Sequence, residues 1–275
     1  MYLVCRALWS LVGLFACFGA TVNAANVLEI DLIFPRNDTY APTDRSNNAS
    51  WFPIVFAIQN AELARHLKLS FDTHMWNYSN MDTFGFADHD LTDANYTNEP
   101  YFVYHHLKID TEGSYSLLSK VFWQKCNKTG DQVSIDRTST NFGVDLTIKK
   151  GAQGVDLVAT TAEKKTCSTK DGIAFNVTNE TYEVPPSKNS YYRSHLLDGT
   201  CVVLATTSPT PTANPCKVKV GTAVVASMSA SLHARLCKDL YPPADCPKDD
   251  AVQKLAVTGV ASFVVALGAI GFLLA

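Results

Sequence analysis

What this chain has little of is charge gathered in one place. Only 18% of its residues are Asp, Glu, Lys or Arg, the formal net charge is −3, and neither a basic stripe nor a long run of one sign occurs. A nucleic-acid partner needs clustered cations to displace counterions from phosphate, so that partner is not expected. Catalytic signatures are also missing. There is no G-x-S-x-G elbow, and Gly113-Ser114-Tyr115 lacks the second glycine that lets a strained nucleophile turn form. No H-E-x-x-H and no C-x2-C pair occurs, and His105-His106 are adjacent on an expected strand, where neighbouring side chains point to opposite faces. Asp88-His89-Asp90-Leu91-Thr92-Asp93 is rich in oxygen ligands but lacks the Gly and distant Glu of an EF-hand, so it reads as a solvated acidic turn. Ala25 as first mature residue excludes a copper site built on an N-terminal histidine. Catalytic, cofactor-binding and metal-binding residues are therefore expected to be none.

What the chain does have is an apolar segment near each end. Arg6 precedes an apolar run over residues 7–18, and Val22-Asn23-Ala24 carries modest side chains where a signal peptidase reads. The run is shorter than the roughly 20 residues a membrane span needs, so residues 1–24 are expected to be a cleaved signal peptide. Residues 255–275 carry no charge, and no Lys or Arg follows them as a cytoplasmic flank. Asp249-Asp250-Ala251 offers small residues for glycolipid attachment, residues 252–259 a spacer and 260–275 a hydrophobic tail. The expected organisation is a single secreted β-rich domain over 25–249, attached at Asp249 to a glycosylphosphatidylinositol (GPI) anchor. Residues 250–275 are then the anchor propeptide, with a membrane-spanning tail as the alternative.

Six cysteines remain once Cys5 and Cys17 leave with the signal peptide: Cys126, Cys167, Cys201, Cys216, Cys237 and Cys246. An even set in an oxidising compartment reads as three disulfides. Attachment at Ala244 or Asp245 would discard Cys246, whereas Asp249 keeps all six. The expected pairs are Cys237 with Cys246 and Cys126 with Cys167, leaving Cys201 with Cys216. Seven N-x-S/T sequons point to the same compartment: Asn37, Asn48, Asn77, Asn95, Asn127, Asn176 and Asn179.

Between the two apolar segments the chain reads as short strands broken by polar turns. Leu28, Ile30, Leu32 and Phe34 alternate with Glu29, Asp31 and Ile33 until Pro35. Similar runs occupy residues 54–58, 67–71, 101–109, 115–123, 142–148, 155–159, 173–177 and 201–205, separated by Asn, Asp, Gly, Thr and Pro clusters. This spacing predicts a mainly β chain, a disulfide-stapled β-sandwich. Residues 206–212 form an exposed Ser/Thr/Pro stretch. Residues 223–236 are Ala-rich, with an apolar spacing that fits helix or strand; the low cost of Ala in a helix favours a C-terminal helix.

The string Val27-Leu28-Glu29-Ile30-Asp31-Leu32-Ile33-Phe34-Pro35-Arg36-Asn37-Asp38-Thr39-Tyr40-Ala41-Pro42, followed by Phe52-Pro53-Ile54-Val55-Phe56-Ala57-Ile58-Gln59-Asn60, resembles the opening of a family of ascomycete secreted proteins with a domain of unknown function. Pro215-Cys216-Lys217-Val218-Lys219-Val220 and the Ala/Ser-rich run ending in Cys237 are similar to that family's C-terminal part. The resemblance implies a fungal surface or secreted setting. It carries no catalytic residue across.

The aromatic residues Trp51, Trp76, Tyr78, Tyr96, Tyr101, Tyr104, Tyr191 and Tyr192 lie in or beside polar, sequon-bearing stretches, where a ring can stack on a sugar face, whereas Trp123 reads as core. Trp76, Tyr96 and Tyr191 are the candidate stacking residues. The expected function is a non-catalytic, GPI-anchored surface or cell-wall glycoprotein. Its expected partners are the membrane, through the lipid, and cell-wall glycans. The alternatives are a carbohydrate-binding module that uses these aromatics, which requires a coplanar row, and a secreted glycan-active hydrolase, which requires two convergent carboxylates in a cleft.

Overall fold

The computed structural model describes residues 26–43, 51–79, 83–163, 167–185, 199–205 and 210–247. The signal-peptide segment, Asn48, Tyr191, Asp249 and the C-terminal apolar segment lie outside the described residues. The chain divides into a unit that ends at Val220 and a smaller one that starts at Gly221.

The first unit carries β1 (Val27–Phe34), β2 (Thr39–Tyr40), β3 (Phe52–Gln59), β4 (Ser70–Asn77), β5 (Thr83–Asp90), β6 (Tyr101–Leu107), β7 (Gly113–Thr129), β8 (Gln132–Ile148), α1 (Leu157–Ala162), β9 (Gly172–Val184) and β10 (Gly199–Leu204). The strands form two five-stranded sheets. Sheet 1 has the order β10-β9-β1-β3-β6 and sheet 2 the order β2-β8-β7-β4-β5. Every strand pairing is antiparallel except the short β2–β8 contact. The mainly β, disulfide-stapled fold follows the expectation.

Alternation builds the core. Leu28, Ile30 and Leu32 of β1 share a face with Phe56 and Ile58 of β3, and all five are buried. Phe56 meets Phe71 of β4 at 4.9 Å and Phe142 of β8 at 6.5 Å between ring centroids, so its ring joins the two sheets. At one end Phe34, Tyr40 and Phe52 pack as a triangle of rings with centroids 5.1–5.4 Å apart. Trp123 of β7 stacks on Phe175 of β9 at 5.3 Å, in the core role expected of it. β7 and β8 make one long hairpin, turned by Gly130-Asp131 with Gly130 at φ 61°, a conformation that costs glycine little.

Sheet 1 is covered on its outer face as well. Segment 213–220 and α1 lie against β1, with Ala213, Pro215, Val218 and Val220 buried. Thr161 of α1 ties the two covering pieces together, since its Oγ1 accepts the Val220 N–H at 2.9 Å. Small side chains make the close approach feasible. Gly172 of β9 pairs with Asp31, and a Cβ there would collide with the Asp31 carboxylate and with Ala213. β1 and β3 are therefore buried on both faces, which explains the nearly unbroken apolar run Phe52-Pro53-Ile54-Val55-Phe56-Ala57-Ile58.

Three expected elements need correction. Residues 155–159 are not a strand: Asp156 caps α1 by accepting the Ala159 N–H at 2.9 Å, and a side-chain cap outweighs a short apolar run. Residues 67–71 straddle a boundary, for Leu67 ends a 3-10 turn, Lys68 sits at φ 42°, and β4 begins only at Ser70. The acidic stretch Asp88-His89-Asp90 belongs to edge strand β5 rather than to a turn, because an edge strand with a solvated face tolerates charge.

Two disulfide pairs differ from expectation. Cys126 bonds Cys201, and Cys167 bonds Cys216, instead of Cys126–Cys167 and Cys201–Cys216. The physical reason is sheet topology. Cys126 near the end of β7 in sheet 2 faces β10 of sheet 1, so this bond staples the sandwich across its layers. Cys167 precedes β9 and pins the 3-10 turn Pro215–Lys217 beside β1.

The smaller unit contains α2 (Thr222–Leu236), the expected Ala-rich helix, followed by a loop closed by the expected Cys237–Cys246 bond. His233 Nε2 lies 3.1 Å from Asp245 Oδ2, and this contact with His233 holds the Asp245 carboxyl below its usual range. No described helix is long and apolar enough to cross a membrane.

Candidate functional site

Sheet 2 carries a groove on its outer face. Along β4 the residues Phe71, Thr73, Met75 and Asn77 point inward and are buried, so Ser70, Asp72, His74 and Trp76 line the outer face. Cross-strand register then places Asp90 and Asp88 of β5 opposite Ser70 and Asp72 on one side. On the other side stand Phe122 and Lys120 of β7. Lys68, just before β4, and Arg137 from β8 complete a groove of about 260 Å³. Four strands, β4 with its lead-in Lys68, β5, β7 and β8, thus converge on one polar hollow.

Its lining mixes both charge signs. Arg137 donates to Ser70 Oγ at 3.0 Å and lies 4.9 Å from the Phe122 ring centroid, while Lys120 Nζ lies 4.9 Å from the same ring. Asp72 pairs with His74 at 2.9 Å. Asp90 accepts both the Thr92 hydroxyl, at 2.6 Å, and the Thr92 N–H, at 2.9 Å. These two bonds hold its carboxyl below the ordinary range, and Arg137 and Lys68 pull the same way. The lining sets two cations, Lys68 and Arg137, against the three carboxylates Asp72, Asp88 and Asp90, with Lys120 on the Phe122 ring beside it. Such a surface offers donors and acceptors of both charge signs side by side.

A second pair of carboxylates lies on sheet 1. Asp31 is fully buried beneath Ala213, its Oδ2 accepts from Gln59 Nε2 at 2.8 Å, and its Oδ1 has no hydrogen-bond partner. Burial first, and the Glu29 charge second, push its pKa up to about 8, against the opposing pull of Gln59. Glu29 in turn accepts the Asn214 N–H. A glycosidase needs one carboxyl held protonated where substrate can reach it. Asp31 is protonated but sealed, and the exposed Asp90 is shifted the other way.

Of the candidate stacking residues, Tyr191 lies outside the described residues, and Trp76 and Tyr96 do not share an open face. Tyr96 is buried at 4% exposure, its hydroxyl donates to the Leu91 carbonyl at 3.0 Å, and its ring packs edge-on against Tyr101 at 5.2 Å. It is a packing residue, a correction to its expected role. Trp76 is half-buried on the outer face of β4. Trp51 lies under Lys108 at 5.0 Å, and Tyr78 donates to Asp145 at 2.9 Å. His105 and His106 are both half-buried, and His105 packs edge-on to His89 at 5.8 Å across the β5 and β6 edges.

Among the sequons, Asn37, Asn95, Asn127 and Asn179 are exposed and Asn176 is half-buried on β9. Asn77 differs. It is 8% exposed, its Oδ1 accepts the Ser79 N–H at 2.8 Å, and its Nδ2 faces Gly113, where even a methyl group would be crowded. A glycan on that nitrogen has no room, so glycopeptide mapping after expression through a secretory pathway is expected to find Asn37, Asn95, Asn127 and Asn179 occupied and Asn77 bare. None of the described sequons is a groove residue.

His233, Cys237 and Cys246 bring ligand atoms within 4.8 Å of one another, a cluster that sequence spacing did not reveal. Both sulfurs are spent in the disulfide, which leaves no thiolate to hold a metal. Lys68, Asp72, Phe122 and Arg137 likewise carry no local sequence signal, since only the strand order of sheet 2 brings them together.

A two-sheet sandwich, stapled by disulfides and presenting an open polar sheet face, is the class that fold and groove define. Its disulfides are compatible with a secreted or extracellular protein. The chain belongs to the family described as Domain of unknown function (DUF7136), which matches residues 23–246. No curated protein matches the sequence.

Proposed function

We propose that this chain is a non-catalytic fungal surface glycoprotein, delivered by signal peptide 1–24 and held by a GPI anchor at Asp249, whose sheet 2 groove binds neutral cell-wall glycan. The observation that carries the binding reading is the groove itself: a hollow of about 260 Å³ lined by side chains of both charge signs, Lys68 and Arg137 with Asp72, Asp88 and Asp90, beside the Phe122 ring, and with no sequon among its lining residues. Hydroxyl-rich ligands suit such a surface, because each hydroxyl both donates and accepts. A strongly charged ligand would face repulsion from one half of the lining. Asp90, whose carboxyl is held below its ordinary range by Thr92, is the opposite of a proton-holding acid, and this supports binding without turnover.

The test is a glycan array probed with the purified mature protein at low and high salt, with product release assayed on the same glycans. Binding to neutral glycans, unchanged by salt and without released product, is expected. Product release would convert the reading to a hydrolase. Silence on every neutral glycan, or binding confined to anionic glycans and lost in salt, would remove the neutral-glycan reading.

A further inference from the structure

The loop closed by Cys237 and Cys246 displays two large apolar side chains side by side, Leu240 at 88% exposure and Tyr241 at 90%. The one other large hydrophobic residue exposed among the described residues, Tyr78, reaches 48% and is hydrogen-bonded to Asp145. Adjacent Leu and Tyr this bare, on a disulfide-closed loop, form a presented tip rather than scattered surface apolarity. Pro242 and Pro243 follow directly and have no N–H to leave unsatisfied in an apolar medium. The loop also sits close to the membrane-directed part of the chain. Asp249 is three residues beyond Cys246, a reach of about 10 Å of extended backbone, and the uncharged segment 255–275 begins shortly after.

We infer that Leu240 and Tyr241 insert into the phospholipid headgroup interface of the membrane that holds the C-terminal end, an inference that rests on the membrane attachment proposed above. Leucine enters the acyl boundary, and the amphipathic tyrosine ring sits at headgroup level with its hydroxyl in water. The disulfide fixes the loop before contact, so little conformational freedom is lost on insertion. Two side chains give only weak, reversible partitioning alone, so the contact forms when the anchor supplies the attachment.

The experiment uses Tyr241→Trp in the full chain, purified from membranes and reconstituted in phosphatidylcholine vesicles with plain or brominated acyl chains, with the unsubstituted protein giving the background from Trp51, Trp76 and Trp123. Flotation with the vesicles is read first. The expected result is co-flotation, a blue-shifted emission from the introduced indole and its loss in brominated vesicles, with the loss reduced when Leu240→Ser is added. Co-flotation with that emission unshifted and unquenched would overturn the insertion while leaving the anchor intact. Failure to float would overturn the attachment, and the insertion with it.

Discussion

Replacing Cys126 and Cys201 together by alanine is expected to lower the unfolding free energy of the sandwich by about 4 kcal/mol, on the chain-entropy estimate for a closed loop of this length. The bond joins residues 75 apart and ties sheet 2 to sheet 1 through β7 and β10. Its loss frees the unfolded chain and removes the covalent tie between the layers, which core packing and exposed contacts such as Lys128 with Tyr182 still join. The Cys237–Cys246 bond spans only 9 residues and lies in the smaller unit, so its removal is expected to leave the sandwich transition nearly unmoved. Denaturant unfolding followed by Trp123 fluorescence checks both statements. Equal losses from the two deletions would contradict the pairing.

Asp31→Asn is expected to stabilise the protein at neutral pH and to flatten its pH dependence. The folded pKa of Asp31, about 8, lies far above the carboxylate value of 3.8, so the folded protein keeps a proton that the unfolded chain releases. Asp31's contribution is therefore fully present below about pH 4 and is lost as pH rises through about 8, at roughly 1.4 kcal/mol per pH unit inside that window. Asparagine keeps an acceptor for Gln59 and adds a donor beside Glu29 without a charge to desolvate. Unfolding measured from pH 5 to 8 is expected to show a falling curve for the native protein and a shallower, higher one for the variant. Parallel curves would show that Asp31 titrates normally.

Much of the architecture is legible in the chain, and the failures share a cause. The alternation of β1 and the Ala-rich α2 are local patterns, and the Cys237–Cys246 bond joins near neighbours, so sequence exposes all three. The Cys126–Cys201 bond depends on which strands oppose each other across the layers, which no local pattern encodes. Asp31 looks like the solvated face of an amphipathic strand, and only the docking of segment 213–220 makes it a buried acid. Tyr96 sits among polar neighbours and a sequon, yet its ring turns inward against Tyr101. The groove is the clearest case: Asp88 and Asp90 stand out as an acidic stretch, but Asp72, Phe122 and Arg137 carry no signal until β5, β4, β7 and β8 lie side by side.

Glycan binding in the sheet 2 groove is put to its sharpest test by calorimetric titration of the native protein and of Arg137→Ala with the best-bound neutral glycan. Arg137 holds Ser70 and lies over Phe122, so its truncation dismantles the groove while the core and all three disulfides remain. Measurable binding is expected of the native protein, and its loss is expected in a variant with an unchanged thermal midpoint. Equal affinity in the two proteins would place the glycan elsewhere and contradict the groove as its site.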